Sequence, residues 1–235
     1  SPRYQFLADA PDWAVITGHM NGVITINVAE ADDDERVRRR VALHEPYRTL
    51  LGHLRHESGH FFWDLLIRDG EELASFRALF GDEQQDYQES LNRYYAQPPS
   101  YEEWSAHGVS PYARSHPWED WAESWAHYLH MVDVLETASS YHTRLAVPDT
   151  GLQHTMQVQD PFATPAPSFD DMVAQWVPVT LLLNSLNRSL GQLDAYPFAL
   201  SAGALQKLRY VHDVVQRQRS RVDTLANMPP ANPLA

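Results

Sequence analysis

Two histidines and a glutamate in one five-residue segment have the spacing needed to hold and use a metal ion. His56 and His60 begin and end the segment HESGH. On an α-helix, which turns by about 100° per residue, they fall roughly 40° apart on one face and can bind one zinc ion. Glu57 follows the first histidine and is placed to take the proton of a zinc-bound water that attacks a carbonyl. The segment therefore predicts a zinc hydrolase, provided that it is helical.

Apolar residues on both sides of this segment recur at helical spacing. They form a stripe away from the two histidines, made of Leu50, Leu51, Leu54, Phe62, Leu65 and Leu66. We therefore predict a helix over 46–68. Gly59 inside that helix costs about 1 kcal/mol relative to alanine, which predicts that another backbone packs closely against it.

A catalytic zinc site needs a third protein ligand in addition to the two histidines. The metzincin spacing, with a glycine and another histidine after the motif, is excluded because Trp63 and Leu66 occupy those positions. Asp64 lies one turn after His60 on the same helix face and is one candidate ligand. If Asp64 or another side chain occupied the fourth zinc position, the metal would be structural and the protein not an enzyme.

A downstream helix is the stronger source of the third ligand. Pro117 suits a first helical turn, and the acidic residues after it complement the helix dipole. The apolar stripe of this helix is Trp118, Trp121, Trp125, Leu129 and Val132. Glu119 and Glu123 lie one turn apart on the opposite side, and from the residues alone either carboxylate can complete the site.

The phrase EDWAE at 119–123 is similar to the second zinc motif of gluzincins, which include thermolysin-like, neprilysin-like and lethal factor-like peptidases. This resemblance implies that Glu119 is the third zinc ligand and that Glu123 hydrogen-bonds a ligating histidine, which would fix the tautomer of the imidazole. The lethal factor-like peptidases also have a tyrosine seven residues before the glutamate. Tyr112 has that position here, so its phenol is expected to donate to the oxyanion. His116 is the competing donor.

Over a longer range the chain resembles a bacterial zinc-binding metallopeptidase family. The phrases that carry the resemblance are LRHESGHFFWDLL, FRALFGDE, HPWEDWAESWAHYLH and DAYPFALSAGALQKLRYVHDVV. It implies an α+β, mostly α fold of the zincin-like (thermolysin-like) type, with a small N-terminal antiparallel β element and a helical C-terminal part. It also implies Zn²⁺ as the cofactor and a peptide or protein as the substrate.

Length and composition fit one soluble enzyme domain. The chain has 235 residues, 43% of them hydrophobic, no cysteine and a net charge of -13. We predict one domain over 1–226, divided at residue 136 into the part with the two motif helices and a helical lower part, and a disordered proline-rich tail over 227–235. The acidic charge argues against nucleic acid or anionic membranes as partners. No segment approaches the roughly 20 apolar residues of a membrane span, so a cytoplasmic location is expected.

An antiparallel hairpin is predicted near the N-terminus. Segments 13–17 and 23–28 are rich in β-branched residues, and an Asn-Gly turn signal lies at 21–22 between them. The resemblance to zincins implies that such an edge strand lies above the active-site helix and binds extended substrate. Beyond the hairpin we predict a solvated acidic turn over 30–35 and a short exposed strand or helix over 36–40.

The remaining elements follow from periodicity and from proline and glycine positions. We predict helices over 71–80, 83–96, 169–190 and 201–225, and loops over 104–116 and 137–168. Ser201 is the expected N-cap of the last helix.

Four other histidines have lesser roles. His212 can approach the zinc as a donor, like the distal histidine of thermolysin-like enzymes, or can simply be packed in the core. His53, one turn before the motif, is expected to be polar support. His127 and His130 lie roughly 12 and 16 Å beyond Glu119 along their helix, too far to share its metal.

The sequence therefore predicts a zinc-dependent peptide-bond hydrolase. The alternatives are a zinc hydrolase of a small amide or of a single dedicated peptide, and the non-catalytic protein with a structural metal. The aminopeptidase-type phrase Gly-x-Met-Glu-Asn is absent from the chain, which favours an endopeptidase.

Overall fold

Helices make up most of the structure, a computed structural model that describes residues 1–32, 34, 35, 38, 49–146 and 155–226. The strands are β1 (Arg3–Leu7), β2 (Gly18–Met20), β3 (Val23–Asn27), β4 (Arg144–Ala146) and β5 (Thr155–Gln157). The α-helices are α1 (Leu50–Trp63), α2 (Leu73–Phe80), α3 (Tyr87–Ala96), α4 (Tyr101–Ser105), α5 (Pro117–Ser140), α6 (Phe169–Ser189) and α7 (Ala202–Ala226). The prediction of a mostly helical protein with a few strands is confirmed. Within the described residues, no helix is both long and apolar enough to cross a bilayer.

The N-terminal sheet has the strand order β1-β3-β2, with β3 parallel to β1 and antiparallel to β2. Asn21 and Gly22 both have positive φ angles, of 51° and 77°, as a two-residue hairpin turn requires. The hairpin is confirmed, but 13–17 was the wrong choice for its first strand. A two-residue turn pairs Met20 directly with Val23, so the strand is β2, and Trp13 forms only an isolated bridge with its neighbour Ala10. Strand β1 was not predicted.

One face of this sheet packs on α1. Ile24 and Ile26 of β3 are fully buried there. The prediction of a solvated acidic turn over 30–35 is wrong for Glu30. This residue is buried and accepts a hydrogen bond from Thr17 Oγ1 at 2.7 Å. Its other oxygen lies 2.5 Å from His53 Nδ1, so that histidine ties the sheet to α1. Apart from residue 38, the predicted element over 36–40 lies outside the described residues.

Helix α1 carries the HESGH segment. Its N-cap is Thr49, whose side chain accepts from Gly52 N. The helical path continues beyond Trp63 as a π-helical turn, Asp64–Arg68, so the helix end predicted at 68 is close to the observed one. Residues 46–48, where the predicted helix began, lie outside the described part of the chain.

Helix α5 is the centre of the fold. It packs against α1, α2, α6 and α7. Within its predicted apolar stripe, Trp121 is fully enclosed and Trp125 and Val132 are buried, whereas Trp118 and Leu129 are partly exposed. The opposite side is buried as well, and Glu119 is only 1% exposed. A carboxylate this deep needs a partner, because removing its charge from water is expensive.

The predicted loops contain more structure than expected. The loop over 104–116 includes the end of α4 and a 3₁₀ turn, Tyr112–Arg114. Within 137–168, α5 continues to Ser140, and β4 pairs with β5 in an antiparallel hairpin whose connection, 147–154, lies outside the described residues. Ser201 Oγ accepts from Ala204 N at 3.2 Å and so caps α7 as predicted. The predicted tail over 227–235 also lies outside the described residues.

Candidate metal centre

Helices α1 and α5 cross in unusually close contact at Gly59. A Cβ at this position would lie 2.9 Å from the Cα of Ala122 and 3.2 Å from the Cβ of Trp125. The predicted close approach of another backbone is confirmed. Two indoles of α5 fix the crossing, because Trp121 Nε1 donates to Gly59 O at 2.9 Å and Trp125 Nε1 donates to Ser58 Oγ at 3.1 Å.

Three buried ligand atoms converge beside this crossing. His56 Nε2 and His60 Nε2 are 3.2 Å apart, and Glu119 Oε2 lies 3.0 Å from the first and 3.4 Å from the second. Among the described residues, this is the one group of three or more histidine, cysteine or acidic side chains whose ligand atoms all lie within 4.8 Å of one another. We call these three residues the triad.

The triad fits a zinc ion. Tetrahedral zinc with bonds of about 2.0–2.1 Å would hold its ligand atoms about 3.3 Å apart, close to the three observed separations. Glu119 Oε2 is buried and has no hydrogen-bond partner outside the triad, an arrangement that is costly unless a positive charge, of a metal ion or of a protonated imidazole, faces it. The buried Nδ1 of His60 has no hydrogen-bond partner either. The triad can therefore hold a metal ion.

Opposite charges hold the metal-free triad together. Burial would lower the pKa of His56, but hydrogen bonds and charges of Glu119 and Glu123 raise it well above its ordinary value. Burial would likewise raise the pKa of Glu119, but the two triad imidazoles lower it well below its ordinary value. The carboxylates are therefore ionised, and a protonated imidazole supplies the positive charge that a metal ion would replace.

Glu123 lies behind the triad rather than in it. Its Oε1 is 2.7 Å from His56 Nδ1, and its Oε2 accepts a hydrogen bond from Ser110 Oγ at 2.5 Å. Burial would raise the pKa of Glu123, but the hydrogen bond and charge of His56 outweigh it and lower the pKa to about 2. Because Glu123 accepts the His56 Nδ1–H, Nε2 is the nitrogen that would give up its proton and offer a lone pair when a metal ion binds. The sequence left Glu119 and Glu123 as candidates for the third ligand. Glu119 is the one whose carboxylate oxygen lies beside the two histidine nitrogens.

Glu57 and Tyr112 lie next to the triad. Glu57 is 6% exposed, and in the described part of the chain no hydrogen bond reaches its carboxylate. The ring of Tyr112 lies 6.0 Å from the ring of His56. Burial first, and then the charge of Glu119, raise the pKa of Tyr112 well above its ordinary value, so its hydroxyl is a donor at neutral pH.

Two further candidates are engaged elsewhere. Asp64 pairs with Arg68 at 2.8 Å and is not in the triad. His116 caps α5, and both of its ring nitrogens are occupied, one by Trp118 N at 3.1 Å and the other by Gln85 O at 3.2 Å. No ring nitrogen of His116 is left for an oxyanion.

His212 belongs to the core rather than to the metal centre. Its Nδ1 lies 3.2 Å from the hydroxyl of Tyr128, which is nine residues beyond Glu119 on α5 and therefore about 13 Å further along the helix. His127 and His130 are buried too. Burial lowers the pKa of His127 to about 4 and that of His130 to about 3, so both are neutral.

Two residues near the candidate metal centre, Tyr87 and His19, were not predicted from the sequence. Tyr87 of α3 donates from its hydroxyl to Glu119 Oε1 at 2.7 Å. His19 of β2 accepts from Gly22 N at 3.1 Å, and its ring meets the ring of Phe61 on α1. Burial lowers the pKa of His19, which the charges of Asp64, His60 and Glu57 also affect. Both residues reach the site through long-range packing, for which the chain carries no local signal.

The fold and the triad define a mostly helical protein with a buried site for a metal ion. A family model described as "Putative zinc-binding metallo-peptidase" matches residues 1–214, and the chain belongs to this family. The family expected from the motifs is thus confirmed.

Uncharacterized proteins of Mycobacterium tuberculosis and Mycobacterium bovis are 45% identical to the chain over 202 residues. The match covers 86% of this chain and 56% of each relative, so the chain spans about half the length of the curated relatives it matches. No solved structure matches the chain.

Proposed function

We propose that this protein is a zinc-dependent peptide-bond hydrolase of the gluzincin type, with His56, His60 and Glu119 as the metal ligands. The observation that carries the proposal is the convergence of their three ligand atoms at 3.0–3.4 Å. Glu119 Oε2 has no other partner. Glu57, which follows His56 on α1, is buried, and its carboxylate has no hydrogen bond within the described residues. A free carboxylate next to a metal-binding group is the arrangement that general-base catalysis needs.

Each side chain has one task in the proposed reaction. Zinc, when bound, supplies a Lewis acid that polarises the scissile carbonyl and makes water more acidic. Glu57 accepts the proton of the attacking water and later passes it to the leaving amine. The hydroxyl of Tyr112 donates a hydrogen bond to the oxyanion. Glu123 holds His56 in the tautomer whose Nε2 can bind a metal.

The proposed substrate is an extended peptide that binds along β2. Only β3 pairs with β2 within the described residues, so the other edge of β2 has backbone groups free for a peptide strand. The strand packs on α1, where the ring of His19 meets the ring of Phe61. A peptide added to this edge would run past the proposed metal ligands. Residues 1–226 are proposed to act as one zincin-like catalytic domain.

A catalytic metal fits the surroundings of the triad better than a structural one. A structural zinc ion needs a fourth protein ligand. Asp64, the nearest rival by sequence, is paired with Arg68 at 2.8 Å. The described residues bring no other histidine or acidic side chain into the group. One coordination position is thus left for water and substrate.

The experiment is cleavage of a peptide library by the zinc-loaded protein beside the Glu57→Gln variant. We expect Glu57→Gln to bind zinc one to one and to lose at least about 10²-fold in turnover, because the amide cannot take the proton. Glu102→Gln, a substitution at an exposed glutamate of α4, is the matched control and should cleave like the wild type. Unchanged turnover of Glu57→Gln would refute the mechanism, and a wild type that binds no zinc would refute the metal site.

A further inference from the structure

The two oxygens of Glu119 have different surroundings. Oε2 faces the triad nitrogens and has no hydrogen-bond partner. Oε1 accepts a hydrogen bond from the hydroxyl of Tyr87 at 2.7 Å. A carboxylate can bind a metal through one oxygen or through both, and hydrogen bonds from neighbouring groups decide between the two modes. Here one oxygen is already occupied by a phenol.

The structure also fixes where the phenol lies. Tyr87 is the first residue of α3, whose N-cap Asp86 accepts from Glu89 N at 2.7 Å. The ring of Tyr87 meets the rings of His116 and Trp118 edge-on, at 5.2 and 5.9 Å. These two rings belong to the start of α5, one turn or less from Glu119. The hydroxyl is therefore held in place relative to the carboxylate.

We propose that Tyr87 is a positioning residue for Glu119, whose Oε1 it holds so that Oε2 alone binds the metal. This inference rests on the proposed function but assigns a role outside the metal ligands and outside the reacting groups. A phenol is protonated at neutral pH, so the Tyr87 hydroxyl can donate to Glu119 Oε1 at the observed 2.7 Å. The role differs from that of Tyr112, whose ring packs on His56.

The test compares metal binding by the wild type and by Tyr87→Phe, which lacks only the hydroxyl. Zinc affinity is measured by competition with a chromophoric chelator, and coordination by the visible absorption of the Co²⁺-loaded protein. We expect Tyr87→Phe to bind zinc about 10- to 100-fold more weakly, as for other groups that orient a ligand. With Oε1 free to bind, the coordination number rises and the Co²⁺ absorption weakens.

Two further variants separate positioning from a general effect on the fold. Tyr101→Phe makes the same change at an exposed tyrosine of α4 and should match the wild type in both measurements. Tyr87→His keeps an aromatic ring with a donor and should lie between the wild type and Tyr87→Phe. Circular dichroism of each metal-free variant checks that it is folded.

The outcomes distinguish this inference from the function on which it rests. A Tyr87→Phe protein with wild-type zinc affinity and an unchanged Co²⁺ spectrum overturns the role of Tyr87 but leaves the metal site intact. Lower stability with an unchanged spectrum overturns it too, since that is the result of a purely structural role. A wild type that binds neither Co²⁺ nor Zn²⁺ overturns the proposed function itself.

Discussion

Replacing Gly59 with alanine tests whether the close crossing of α1 and α5 sets the geometry of the proposed zinc site. The added Cβ would lie 2.9 Å from the Cα of Ala122, whereas ordinary van der Waals contact begins at 3.4 Å. The two helices must therefore separate by about 0.5 Å or more. His56 and His60 flank Gly59 on one helix and Glu119 lies on the other, so the separation acts directly on the ligand atoms.

The expected magnitudes follow from these distances. Overpacking of this kind costs about 1–3 kcal/mol, and the better helix propensity of alanine returns about 1 kcal/mol, so the free energy of unfolding falls by about 0–2 kcal/mol. Zinc sites tolerate distance errors of about 0.2 Å. A displacement of about 0.5 Å should therefore weaken zinc binding at least tenfold, which corresponds to about 1.4 kcal/mol.

The assay measures the two effects separately for Gly59→Ala. Urea unfolding of the metal-free protein gives its stability, and chelator competition gives the zinc affinity. Val179→Ala is the control for stability, because it removes buried volume on α6 and should cost roughly 1–3 kcal/mol without changing zinc affinity. Wild-type zinc affinity in Gly59→Ala, or an equal loss in Val179→Ala, would refute the idea that the crossing sets the site.

Three other perturbations give measurable effects. Glu123→Gln should weaken zinc binding about 10- to 100-fold in the same competition assay, because a neutral amide holds the His56 Nδ1–H less strongly. Adding zinc at 100 times its dissociation constant should raise the free energy of unfolding by about 2.7 kcal/mol, and EDTA should reverse the gain in urea titrations. His127 has its pKa lowered to about 4 by burial, so the stability that its neutral form gives is present above pH 6.5 and is lost as the pH falls towards 4. Urea titrations of the metal-free protein at pH 7, 6, 5 and 4 should show this decline, of which His127 accounts for up to about 3 kcal/mol by pH 4. His127→Asn should remove that share and leave the decline due to His130, whose pKa is lowered to about 3.

Local patterns were sufficient to predict α1, the two histidines that share one of its faces and the apolar stripe of α5. The spacing of His56 and His60 and the apolar periodicity around them are properties of one helix. Gly59 was informative as well, since a helix carries a glycine at some cost and the close crossing with α5 explains it. These features lie within a few turns of one another in sequence.

Features that depend on distant segments were not predictable in the same way. In the sequence, Tyr87 is an ordinary apolar position of α3. Only the fold brings its hydroxyl to Glu119, which is 32 residues further along the chain. Glu30 reads as part of an acidic turn, yet Thr17 and His53 supply partners that allow it to be buried. The sequence around each residue did not reveal its partner, because in both cases the hydrogen-bonding group came from another element.

The choice between Glu119 and Glu123 has a physical basis in the next residue of α5. Asp120 points about 100° away from Glu119 around the helix, and its Oδ2 lies 2.5 Å from Nζ of Lys207 on α7. Both partners are buried, so breaking this ion pair would leave an uncompensated charge at a cost of about 3–5 kcal/mol. Moving α5 along its axis by one turn, which would bring Glu123 to the triad, would break the pair. The same shift would break the hydrogen bonds of Trp121 and Trp125 to α1. These hydrogen bonds and the ion pair with α7 together favour the register that presents Glu119 to the two histidines and leaves Glu123 behind His56.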